Sequence, residues 1–148
     1  MSEFSITSPD FKEGEEIPKK FGYKFENKEP ELDFDNIPEG TQILALIMDD
    51  PDAMAAVGKI WVHWLVFDGP TNFPGGNIAG VFGKGLNDFG EIGYGGPAPP
   101  NGRHTYIFKA YALDNTPDLK EGYSKQDLEQ AMDGHILAEA KLTGTFTP

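Results

Sequence analysis

Three short apolar runs, each closed by turn-forming residues, constrain the fold of this chain more than anything else in it. Gln42–Met48 leads into Asp49-Asp50-Pro51-Asp52, Ile60–Phe67 ends at Asp68-Gly69-Pro70, and Thr105–Leu113 carries apolar side chains at both phases of its alternation. Runs this short, apolar on both faces and bounded by turn signals, read as strands covered from both sides. Between them lie most of the 18 Gly and half of the 12 Pro. One late helix is predicted: Ser124-Lys-Gln-Asp127 has the spacing of a capping box, and Leu128, Met132 and Ile136 recur every fourth residue, with Gly134 weakening the middle and His135 in the C-terminal half. There the imidazole would interact with the helix dipole or cap carbonyls. Lys141–Phe146 reads as a last strand, and residues 1–40, broken by Pro9, Pro18, Pro30 and Pro38, as an edge region wrapping the core. Strands without regular helical alternation imply a mainly β chain of two packed antiparallel sheets, and 148 residues fit a single domain over 1–148.

Charge and composition exclude several functions. A net charge of -12 repels phosphate backbones and anionic lipid surfaces, so nucleic acid is not an expected partner. A phosphate-bearing ligand must then be held by local donors. With no cysteine, disulfides, thiolate catalysis and thiolate metal sites are excluded. The apolar runs are far shorter than the ~20 residues of a membrane span. Met1-Ser-Glu-Phe-Ser lacks a basic segment followed by an apolar one, so the expectation is a cytoplasmic protein without integral membrane association.

Chemistry concentrates in two of the strands and the segments before them. At a period of two, Trp61, His63 and Leu65 share one side, as do His104, Tyr106 and Phe108. Asp50 precedes a proline, which restricts its backbone and fixes its carboxylate, and a carboxylate so held can orient an imidazole. In the run Gly93–Gly102, main-chain N–H groups of Gly95, Gly96 and Ala98 can form an anion-binding concavity, while Pro97, Pro99 and Pro100 stiffen the loop. The segment Thr71–Gly102 is a long Gly/Pro-rich connection of the kind that more often carries function than not. Each feature has a plainer account: Asp-Pro-Asp as a turn, His63 as a satisfied core histidine, the glycine-rich run as a rigid surface loop. The isomers of Asp50-Pro51 and Pro99-Pro100 are open.

Taken together, Asp50-Pro-Asp52, Trp61-Val-His63-Trp64, Asn87-Asp-Phe-Gly90, Gly93-Tyr94 through Pro99-Pro100 and His104-Thr-Tyr106 resemble the phosphatidylethanolamine-binding protein family in its bacterial and archaeal branch, which includes Raf-kinase-inhibitor-like proteins. The likeness extends from Phe11-Lys-Glu-Gly14 to Phe146. It implies a β-sandwich with Greek-key connections and a few short helices. It also implies a small pocket for phosphate or carboxylate groups formed by Asp50, His63, Tyr106 and the Ala98 main-chain N–H, with Asp52, Trp61, Pro100 and His104 around it. This sequence departs from the family pattern at Met54, where a proline is usual, and at Thr105, where an arginine is usual.

The leading expectation is therefore a non-catalytic binding or regulatory protein that recognises a small anionic or phosphorylated ligand, such as phosphoethanolamine or a phosphorylated protein group. It would need no cofactor, and the resemblance implies a kinase or a protease as the regulated partner. The prokaryotic branch also admits a homodimer, which no pattern in this chain specifies. Two alternatives stand beside it. One is a phosphoesterase, metal-dependent through Asp50, Asp52, His63 and His104 or histidine-based, against which the chain has no short metal-ligand spacing. The other is a protease inhibitor acting through a surface loop. A Ser-His-Asp hydrolase ranks below both, since no Gly-x-Ser-x-Gly turn occurs.

Overall fold

The computed structural model describes residues 3–69 and 83–148. The three apolar runs become three neighbouring strands of one sheet: β3 (Ile43–Asp50), β4 (Trp61–Asp68) and β5 (His104–Leu113), with β3 between the other two and β4 at the sheet's edge. With β6 (Ile136–Phe146) they form an antiparallel sheet of order β4-β3-β5-β6. A two-stranded antiparallel sheet of β1 (Ser5–Thr7) and β2 (Asp33–Asp35) packs on β6. Both sheets are antiparallel, as expected. The connection from β4 to β5 steps over β3. Its residues 71–82, within the long Gly/Pro-rich segment, lie outside the described residues.

Strand β3 is buried at every position because both faces are covered. Leu44, Leu46 and Met48 enter a core closed by Phe4, Phe11, Phe21 and Phe34 from the N-terminal region, whereas Ile43, Ala45 and Ile47 enter a second core under Tyr123, Leu128 and Met132. The edge region thus supplies one of the two apolar covers.

Strand β4 breaks the simple alternation. Met48 pairs with Trp64 but Asp49 pairs with Val62, so His63 is the extra residue of a bulge. In consequence His63 and Trp64 face the same side, and Leu65 packs into the opposite core, away from Trp61 and His63. The reading that grouped Leu65 with them is corrected by that bulge. The expected face of His104, Tyr106 and Phe108 is regular.

Among the described residues two α-helices accompany the sheets: α1 (Ala53–Val57), ended by Gly58 at φ 78°, and α2 (Lys125–Met132). At α2 the capping box is complete, with Ser124 Oγ accepting from the Asp127 N–H and the Asp127 carboxylate accepting from the Ser124 N–H. The helix stops at Met132. Gly134 turns the chain at φ 80°, Ile136 opens β6 with its side chain exposed, and His135 donates to the Asp114 carboxylate outside any helix. The expectation of helix through His135 and Ile136 is therefore corrected. The last strand is correspondingly longer than Lys141–Phe146.

Candidate functional site

The two aspartates at the end of β3 leave on opposite sides of the sheet. Asp49 is buried beneath Lys109 and Lys125, at 2.9 and 3.2 Å, a contact that pins the first turn of α2. Asp50 faces the other way. Its Oδ1 accepts the Asp52 N–H at 2.9 Å, the turn contact that Asp-Pro-Asp promises, and its Oδ2 accepts Nδ1–H of His104 at 2.7 Å. The carboxylate thus orients an imidazole, and the partner is His104, opposite on β5. That hydrogen bond fixes the tautomer and leaves Nε2 at the far edge of the ring.

His63 is held differently. Its Nδ1–H donates to the Gly95 carbonyl at 2.6 Å, while its own carbonyl accepts the Gly95 N–H at 2.9 Å. Burial, the largest influence on it, keeps the imidazole below its ordinary pKa, opposed by the Gly95 carbonyl and the Asp50 charge. The ring is neutral near pH 7, and its Nε2 is an acceptor. Between the two histidines stands Tyr106, edge-on to His63 at a centroid distance of 5.1 Å. Its hydroxyl is buried without a hydrogen-bond partner of acceptable geometry. Burial first, and then the Asp50 carboxylate, push its ionisation far above the ordinary phenol range, while the Ala98 amide opposes that shift.

Around these groups lies a cavity of about 180 Å³. Asp50, Trp61, His63, Ala98, Pro100, His104 and Tyr106 all line it, seven of the eight residues singled out from sequence. Asp52 does not; it is exposed and its Oδ2 accepts the Thr105 N–H at 2.8 Å, tying the turn to β5. The remaining wall was not read from sequence: Ala53, Ala56 and Val57 of α1, and Phe89. Ala-Met-Ala-Ala before Gly58 is the signal that could have revealed the helix. Phe89 is placed by buried Asn87, whose Oδ1 accepts the Phe89 and Glu91 N–H groups and whose Nδ2 donates to the Gly93 carbonyl. Tyr23 backs that ring in a parallel stack at 3.9 Å.

Two of the three expected main-chain donors are engaged elsewhere. The Gly95 N–H bonds His63, and the Gly96 N–H donates to Asn27 Oδ1 at 2.7 Å. These glycines serve close packing instead: a Cβ at Gly96 would lie 2.0 Å from the Phe21 carbonyl oxygen, and one at Gly95 would meet the Phe89 ring at 2.4 Å. Only the Ala98 amide stays beside the cavity. The Asp50-Pro51 and Pro99-Pro100 bonds are trans. Among the described residues no group of three or more histidine, aspartate or glutamate side chains is arranged to hold a metal ion. No described helix is long and apolar enough to cross a membrane.

Fold and site together define a class, a two-sheet β protein with an aromatic, histidine-bearing cavity at the end of its central strand. The family model of the phosphatidylethanolamine-binding protein matches residues 7–147, and the chain belongs to that family. It is 43% identical over 138 residues to a UPF0098 protein of Methanothermobacter thermautotrophicus, covering 88% of this chain and 89% of that one. To a UPF0098 protein of Chlamydia muridarum it is 44% identical over 145 residues, covering 95% and 97%. Among solved structures it is similar to a putative phosphatidylethanolamine-binding protein homologue from Chlamydia trachomatis, with a TM-score of 0.90 at 39% identity over 100% of this chain and 99% of that one. It is also similar to E. coli YbcL, described as a member of the mammalian family, with a TM-score of 0.84 at 28% identity over 99% of both chains.

Proposed function

We propose that this protein is a non-catalytic binding protein whose cavity receives a phosphate or carboxylate group, and that it regulates a protein partner through that recognition. The observation that carries the reading is the Tyr106 hydroxyl, buried at the cavity beside the Asp50–His104 pair and the Ala98 amide and making no well-formed hydrogen bond within the protein. A buried hydroxyl left unpaired is costly, and an anion bonding to it removes that cost. The Trp61 indole N–H is likewise buried and unpartnered at the cavity wall. His104, held at Nδ1 by Asp50, leaves Nε2 as a further polar contact for the ligand. His63, neutral and accepting through Nε2, favours ligands that bring a proton, such as a monoprotonated phosphate or an ammonium group.

What supports binding over hydrolysis by a hydroxyl nucleophile is the cavity lining: among the described site residues, no serine or threonine lies beside the Asp50–His104 pair. Calorimetric titration with inorganic phosphate, phosphoethanolamine and acetate tests the proposal. Saturable binding of the phosphates, weaker binding of acetate, and no turnover of p-nitrophenyl phosphate are expected. Turnover that disappears in His104→Ala, or no heat from any of the three ions at millimolar concentration, would overturn it.

A further inference from the structure

The strongest departure from the acidic character of this chain lies beside the cavity. Four of its 12 basic residues, Lys19, Lys20, Lys24 and Lys28, fall within ten positions that contain one acid, Glu26. All four are exposed, and none is ion-paired among the described residues. Lys19 lies over the Phe146 ring at 4.6 Å and donates to the Thr147 carbonyl, so it is held against apolar surface, while Lys24 borders a second hollow of about 270 Å³. That hollow is lined by Phe25, Phe146, Pro97 and Pro99, and it shares Ala98 and Pro100 with the first cavity. Phe25 is 53% exposed, a large apolar ring left uncovered.

A stiff proline segment therefore forms a common wall with an anion cavity on one side and an aromatic hollow with a basic rim on the other. Residues 98 and 100 touch both, so the two hollows adjoin across one segment, and an extended chain advancing about 3.3–3.6 Å per residue can reach from one into the other within a few residues. Aromatic and proline surfaces accept an apolar side chain from an extended peptide at little entropic cost to the protein. The unpaired lysines complement acidic residues, on a molecule whose overall charge disfavours acidic partners everywhere else.

We infer that the second hollow is a specificity subsite for an acidic peptide segment of a partner protein: the anionic residue occupies the cavity, an aromatic or aliphatic side chain two or three residues away fills the Phe25–Phe146 hollow, and flanking acids face Lys24. This rests on the cavity being an anion site. A lipid occupant fits less well, because the surrounding charge of -12 opposes an anionic bilayer and the hollow is too small for two acyl chains.

Two peptides test both chain directions: acetyl-pSer-Ala-Phe-Glu-Glu-amide and acetyl-Glu-Glu-Phe-Ala-pSer-amide, each with a Phe→Ala counterpart, against free phosphoserine. One of the pair should bind at least tenfold more tightly than phosphoserine. That gain should vanish in its Phe→Ala counterpart and in Phe25→Ala, and fall severalfold in Lys24→Glu, while phosphoserine binding to both variants stays within twofold. Phosphoserine binding with no peptide gain beyond twofold, or a gain indifferent to Phe25→Ala, would overturn the subsite and leave the anion cavity standing. Dihexanoyl phosphatidic acid binding with the same Phe25 dependence would replace the peptide by a lipid. If neither phosphoserine nor either peptide binds, subsite and cavity reading fall together.

Discussion

Tyr106 and His63 place opposite demands on the folded protein. The Tyr106 hydroxyl makes no well-formed hydrogen bond within the fold, so Tyr106→Phe should leave the unfolding free energy within about 1 kcal/mol of the parent or raise it. Phosphate affinity should fall roughly tenfold or more, since a hydrogen bond to a charged group contributes about 1.5–3 kcal/mol. Calorimetry beside urea unfolding separates the two effects, and a large loss of stability would place the hydroxyl in the scaffold. His63, held neutral by burial, acts through pH. Its folded pKa lies below the unfolded value of about 6.5, so the unfolded chain takes up a proton first as pH falls, and stability drops below about pH 6.5. Above that pH both states are neutral and the effect is absent. A melting-temperature profile of His63→Asn should therefore be flatter than the parent's between about pH 6.5 and 5. Equal slopes would show that His63 takes up its proton equally in both states.

At the scale of elements, the end of β3 couples the cavity to α2, since Asp49 and Asp50 are adjacent and hold Lys125 and His104 on opposite faces. Removing Asp49 exposes two part-buried ammonium groups to each other, whereas removing one lysine leaves the other in place. Asp49→Ala should cost about 3 kcal/mol or more, and Lys109→Ala or Lys125→Ala about 1 kcal/mol each, measured by denaturant unfolding. Local signals were legible here and non-local ones were not. The α2 cap is written within four residues, Ser124 to Asp127, and appeared where expected. Its end was misplaced because Ile136 continues the helical spacing, although Gly134 already marked the turn. The bulge that turns His63 into the cavity depends on how β4 registers against β3, which no periodicity within β4 can report. For the same reason the carboxylate–imidazole pair was foreseeable as a type of contact, while its partner, 54 residues from Asp50, was not. The glycines at 95 and 96 misled for a related reason: glycine that lets a ligand approach and glycine that lets a ring or a carbonyl approach look alike in sequence.

For the molecule as a whole, a β scaffold with two cores carries, among the described residues, a largely apolar, histidine-bearing cavity and a lysine-rich segment in a chain of net charge -12. With a charge of -12, the protein should not co-sediment with phosphatidylserine vesicles at physiological salt, and retention by them would contradict the placement of recognition in a local pocket. The central claim is that the cavity is an anion site assembled by His104, Tyr106 and His63. The most direct test is the imidazole ¹⁵N NMR spectrum of His63 and His104 during titration with phosphoethanolamine. Nε2 of both rings should move saturably while the Nδ1–H signals, fixed by Gly95 and Asp50, persist, and Asp50→Ala should abolish the response at His104. Unmoved Nε2 resonances at millimolar ligand would contradict the claim.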